Sequence, residues 1–154
     1  MVNNYTLRSI RYMLGLNDSK MVEVVKLAGI EVDVTDMTCW LKAEDDADYK
    51  ECPDYVMAHF LNGLIFFRRG KDDRFPAPEI EPVMTNNIVM KKLRAAFALK
   101  DTDLLDIYSS VDFRVSKPEL SAIFRKADHK NYRKCGDQLL RNFLKGLTLR
   151  VRKS

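Results

Sequence analysis

The stretch Asn3-Asn4-Tyr5-Thr6-Leu7-Arg8-Ser9-Ile10-Arg11-Tyr12-Met13-Leu14-Gly15-Leu16-Asn17-Asp18 is answered 83 positions later by Asn86-Asn87-Ile88-Val89-Met90-Lys91-Lys92-Leu93-Arg94-Ala95-Ala96-Phe97-Ala98-Leu99-Lys100-Asp101. The two share Asn3/Asn86, Asn4/Asn87, Arg11/Arg94, Leu16/Leu99 and Asp18/Asp101, and swap like for like at Ile10/Leu93 and Leu14/Phe97. At the same offset the match continues without a gap to Arg69/Arg152. It passes through Val32/Val115, Asp45/Asp128, Tyr49/Tyr132, Cys52/Cys135, Asp54/Asp137, Phe60/Phe143, Leu61/Leu144, Gly63/Gly146 and Leu64/Leu147. Fifteen identities at one fixed spacing are the mark of an internal repeat. The chain reads as two copies of one unit, 3–71 and 86–154, joined by a linker, 72–85, that holds three of the five prolines. Proline removes backbone donors and pushes its predecessor away from helical angles, so the linker is expected to be semi-extended.

Within each copy the apolar residues recur at helical spacing. Leu7, Ile10 and Leu14 open the first unit, and Met90, Leu93 and Phe97 the second, with Asn4 and Asn87 as expected N-caps. A second helix is expected from Asp18 or Asp101, carrying Met21, Val24, Val25 and Ala28, or Leu104, Ile107, Tyr108 and Val111. Ser116-Lys117-Pro118-Glu119 is a capping box with proline in the first turn, and Asp33 and Asp36 take those parts in the first copy. A long fourth helix is expected from about Pro53 or Gly136. Its apolar stripe is Val56, Met57, Phe60, Leu61 and Leu64, or Leu139, Leu140, Phe143, Leu144 and Leu147. No stretch alternates with period two. The expected fold is all-α, a tandem duplication of a roughly four-helix unit. A unit of roughly 68 residues is near the lower limit for a self-sufficient core, so the copies are expected to support each other.

Three stretches carry a family resemblance: the opening Asn86 to Arg94, the segment Asp128-His129-Lys130-Asn131-Tyr132-Arg133-Lys134-Cys135-Gly136-Asp137, and Phe60-Leu61-Asn62-Gly63-Leu64. They resemble the YehS-like family, small bacterial proteins built as a tandem pair of one helical domain of unknown function. The resemblance implies a bacterial cytoplasmic protein and supplies no catalytic or binding residues.

Composition excludes several classes. The hydrophobic fraction is 46% and the charged fraction 31%, ordinary for a globular chain. No apolar run reaches the 18 or so residues of a membrane helix; the nearest, Val56 to Phe67, is interrupted by His59 and Asn62. The first residues show no basic segment leading into an apolar one, so no secretory signal is expected. Three cysteines without a CxxC pair speak against a disulfide framework and for a reducing cytoplasm. No membrane association and no cofactor are expected.

Each candidate for chemistry has a structural reading. Arg11 and Arg94 sit at the edge of the buried stripe, where an arginine wants a carboxylate. The repeated Asp45/Asp128 and Asp54/Asp137 are the expected partners, tying the first helix to the segment before the fourth. Cys52 and Cys135 precede acidic helix starts. The two histidines, His59 and His129, do not occupy equivalent places, so neither a zinc set nor a Cys-His pair assembles, and buried packing is the expectation. Gly63 and Gly146 interrupt a helix, which points to close approach of another helix. Trp40, Tyr49 and Tyr132 fall on apolar faces and read as core.

The copies part company in charge. Residues 3–71 carry 9 Lys+Arg and 11 Asp+Glu, the linker 1 and 4, and residues 86–154 16 and 7. On the fourth helix of the second copy Arg141, Lys145, Thr148 and Arg152 share one side, where the first copy has Ala58, Asn62, Ile65 and Arg69. The less charged side of the first copy is expected to be covered, by the other repeat or by a second chain. The leading functional expectation is a non-enzymatic binding module. Its site would be a basic face made of Arg133, Lys134, Arg141, Lys145, Arg150, Arg152 and Lys153, contacting nucleic acid or another polyanion such as an acidic protein surface. The alternative is a protein–protein adaptor or self-associating homo-oligomer that uses the apolar outer part of the first copy. An enzyme comes third, because no acid, base, nucleophile and metal constellation assembles.

Overall fold

The computed structural model describes residues 1–153. Among these the chain is all helical: α1 (Asn3–Leu14), α2 (Asp18–Leu27), α3 (Val34–Trp40), α4 (Asp54–Arg69), α5 (Asn86–Ala96), α6 (Asp101–Ser109), α7 (Lys117–Ile123) and α8 (Asp137–Lys153). The first residues of α5 to α8 stand 83 positions after those of α1 to α4, so the repeat seen in sequence is a repeat of helix starts.

Local chemistry sets these boundaries. The Asn17 side chain accepts from the Lys20 amide at the head of α2, and Thr85 accepts from Ile88 at the head of α5. Ser116 and Glu119 form the expected capping box on α7, whereas Asp33 makes no side-chain cap on α3. Asn4 and Asn87 are not caps. They lie one residue inside α1 and α5, are buried, and spend their amides on the loop that precedes the fourth helix. Asn4 donates to the Trp40 and Lys50 carbonyls at 2.9 and 2.7 Å and accepts from the Cys52 amide at 2.9 Å. Asn87 repeats this with Ile123, Arg133 and Cys135 at 3.0, 2.8 and 2.9 Å. Each asparagine thereby satisfies three backbone groups that would otherwise be buried without partners.

Inside each copy the second helix crosses the fourth at its glycine. A methyl group built on Gly63 would overlap the Val24 carbonyl of α2, and one on Gly146 the Ile107 carbonyl of α6. The glycines are there for helix contact, as their position suggested.

The first helices pack across the copies. α1 lies along α8 and α5 along α4, while α1 touches its own α4 only lightly. Tyr5 meets Arg141 and Tyr12 meets Arg152, so α1 and α8 run side by side in the same sense. Ties at the helix heads are reciprocal. Asp54 accepts from Asn3 and from the Met84 amide, and Asp137 accepts from Asn86 and pairs with the Met1 amino group at 3.1 Å. The repeat thus reaches back to Met1/Met84. Ties at the helix ends match too: Arg69 donates to the Ala95 carbonyl at 3.3 Å and Arg152 to the Tyr12 carbonyl at 2.6 Å. The halves are related by a pseudo-two-fold and share one continuous core, from Leu7 and Ile10 through Phe60 and Leu64 to Phe143 and Leu147.

Candidate functional site

The pseudo-two-fold creates two equivalent seams, and the molecule treats them differently. At the α4–α5 seam Ala58 is 1% exposed and Ile65 half-buried, so the expected cover over this side exists and comes from within the chain. Part of that cover is α5 and part is the linker. Asn62 donates to the Pro78 and Glu79 carbonyls, both at 3.1 Å. Lys92 donates to the Asn62 side-chain oxygen at 2.7 Å and to the Glu79 carbonyl at 3.3 Å, and pairs with Glu81 at 2.9 Å. The linker is an acidic strap fixed over this seam, and the apolar side of α4 lies beneath it and α5.

The α1–α8 seam has no such strap among the described residues. It is an open groove of about 400 Å³, lined by Tyr5, Ser9 and Tyr12 from α1 and by Gln138, Arg141, Asn142, Lys145 and Thr148 from α8. Lys145 stands at the position of Asn62, and Ser9 at that of Lys92. The Arg141 guanidinium lies 5.7 Å from the Tyr5 ring centre and that of Arg152 4.3 Å from the Tyr12 ring, both at cation–π range. Lys145, between them, is exposed and has no ion-pair partner among the described residues.

The seven expected basic residues therefore do not form one face. Arg141 and Lys145 line the open seam, and Arg152 lies over Tyr12 at its far end. Arg152 is also a structural tie, since its counterpart Arg69 makes the equivalent bond. Arg150 leaves the seam and pairs with Asp103 of α6 at 2.6 Å; the Lys100 amide first, and then Arg150, hold that carboxyl below its ordinary value. Arg133 and Lys134 are exposed in the loop before α8, and Lys153 is exposed at the helix end.

The expected Arg–Asp pairs take other partners. Arg11 pairs with Asp18 at 3.5 Å and Arg94 with Asp101 at 2.8 Å, joining the first helix of each copy to the second. Asp18 and Asp101 are themselves repeated and lie one turn past the end of the first helix, so they are nearer than Asp54 or Asp137. Those two carboxylates are taken by Asn3 and Asn86 at 2.8 Å. Asn86 first, and then the Met1 amino group, hold the Asp137 carboxyl below its ordinary value. Asp45 and Asp128 are exposed in the turns and make no ion pair among the described residues. The loops that hold them are equivalent in place and opposite in charge: Lys42 to Glu51 carries five acids and two bases, Arg125 to Lys134 five bases and one acid.

Cys52 and Cys135 are buried, and burial pushes both thiols up to about 12, with Asp54 and Asp137 adding to the rise. Such thiols are protonated and poor nucleophiles at neutral pH. No group of three or more His, Cys, Asp or Glu that could hold a metal is found among the described residues. No helix among them is long and apolar enough to cross a membrane.

Interleaved four-helix units with reciprocal Asn clamps define a tandem helical repeat. The family described as "Protein of unknown function (DUF1456)" matches the chain twice, over residues 3–70 and 86–153, and the chain belongs to that family. It is 49% identical over 150 residues to "Uncharacterized protein YehS" of Escherichia coli (strain K12), covering 97% of this chain and 96% of that one. No solved structure matches the chain.

Proposed function

We propose that this protein is a binding module, without catalytic chemistry of its own, that holds an anionic macromolecule in the seam between α1 and α8. The observation that carries the reading is Lys145, a lysine with no hydrogen-bond or ion-pair partner among the described residues. It lies in a groove between two guanidinium–tyrosine stacks, on the one seam that the linker leaves uncovered. A cation costs little at an exposed helix position, so its presence alone says only that the surface is soluble. Its placement in a concave site beside Arg141 is what favours a ligand. Arg133, Lys134 and Lys153 add to the long-range attraction, which speeds encounter with an anionic partner.

The test is retention of the protein on immobilised heparin in a salt gradient. Arg141→Gln/Lys145→Gln should elute at clearly lower salt than the parent. Arg114→Gln/Lys117→Gln, which removes the same charge from exposed positions outside the seam, should shift much less. Equal shifts for the two pairs would reduce the basic surface to a solvated one.

A further inference from the structure

We infer that the α1–α8 seam is a docking groove for an extended acidic peptide segment of another protein, held as the linker is held on the α4–α5 seam. The inference rests on the anion-binding reading of this seam and names the partner.

The molecule carries a template of the complex. On the closed seam, residues 78–81 lie over the junction of two parallel helices. Asn62 of α4 holds two successive backbone carbonyls, and Lys92 of α5 holds a third contact to backbone and one glutamate. Backbone capture of this kind needs an extended strand, because a helix would use those carbonyls itself. Pro78 and Pro82 keep the segment out of a helix.

The open seam is the same junction turned through the pseudo-two-fold. The positions of Asn62 and Lys92 are held by Lys145 and Ser9, and both line the groove. The cation has moved from the first helix to the fourth, and Arg141 replaces the small Ala58. Lys145 and Arg141 can serve the same two tasks, binding backbone carbonyls and pairing with carboxylates, while the Ser9 hydroxyl, which donates to the Tyr5 carbonyl at 2.9 Å, leaves its oxygen to accept from a backbone amide. The charge matches: the linker that fills the closed seam has four acids and one base, and the wall of the open seam is basic. Nucleic acid is the less favoured occupant. The cations that face the groove are few, and Arg152 is already bonded to the Tyr12 carbonyl.

The experiment uses the full chain and a fluorescent peptide with the sequence of residues 77–84, Ala-Pro-Glu-Ile-Glu-Pro-Val-Met, followed by anisotropy at low salt. The parent protein should bind it, and binding should weaken as salt rises. Lys145→Ala should weaken it by up to about fivefold, the upper range for one exposed ion pair. Ser9→Lys/Lys145→Asn rebuilds the closed-seam clamp at unchanged net charge and should bind the peptide more tightly than the parent. Its affinity for a 12-base single-stranded or duplex DNA should stay level or fall. Melting curves for each variant confirm that it is folded. DNA binding that depends on Lys145, with no peptide binding, would overturn this inference and leave the anion reading standing. Peptide binding indifferent to both Lys145→Ala and the clamp variant would overturn it as well. If neither peptide, DNA nor heparin is bound, both fall together.

Discussion

Ala98 stands where the first copy has Gly15, and both take left-handed backbone, at φ 51° and φ 62°. Asp112 and Gly29 form a second such pair, at φ 54° and φ 102°. Aspartate tolerates this region through local hydrogen bonding, whereas alanine gains nothing there. Ala98 is also exposed, so only its backbone matters. Ala98→Gly should therefore stabilise the protein by about 0.5–1 kcal/mol, despite the greater freedom glycine gives the unfolded chain. A melting temperature raised by roughly 2 °C or more would show it; a fall would mean that the turn is unstrained. The buried thiols of Cys52 and Cys135 supply a pH effect of definite sign. Folding lifts both to about 12 from an ordinary 9.0. The unfolded chain therefore loses these protons first. The contribution is complete below about pH 8.5 and declines as pH rises towards the folded value. Melts between about pH 8 and 11 should fall less steeply for Cys135→Ala than for the parent; parallel curves would contradict the shift.

Helix contact is set by single residues whose meaning depends on what lies opposite. Gly146→Ala illustrates this, because alanine is the better helix former by about 1 kcal/mol. At this position its methyl would meet the Ile107 carbonyl. The expected outcome is a destabilisation of about 1–3 kcal/mol, seen in denaturant unfolding. A gain in stability would show that α6 can move aside at no cost. The elements were legible from sequence because each copy checked the other: helix starts, the Gly63/Gly146 crossing and the Ser116 capping box all follow from spacing. What could not be read was the choice among equally plausible partners. Asn4 has a capping residue's chemistry, and only the fold shows that it is buried against Trp40 and Lys50. Arg11 has several carboxylates within reach along the chain, and the nearest in space is Asp18. The tie between Arg152 and Tyr12 joins residues 140 apart, a distance over which periodicity says nothing. A signal was present in the identity of Arg69 and Arg152, since a charge kept in both copies is better explained by structure than by a basic face.

For the whole molecule, the exchange of first helices means that neither copy holds a complete core. The buried faces of α1 are completed by α8, and those of α5 by α4. Separate polypeptides of residues 1–83 and 84–154 should each show weak, non-cooperative helix signals, and mixing them should restore cooperative melting at one-to-one stoichiometry. A half that melts cooperatively as a monomer would refute the dependence. Splitting after residue 83 keeps the strap on the half that carries Asn62, so reassembly tests the helix exchange and not the linker.

The strap over one seam has a further meaning. Two identical chains paired by this same two-fold would have matching junctions, both filled or both vacant. Joining them into one polypeptide is what lets a single acidic segment close the first junction while the second stays accessible. It also frees the two sets of surface residues to drift towards opposite charge. Fusion thus does more than fix the pairing: it turns a symmetric assembly into one with a single open side.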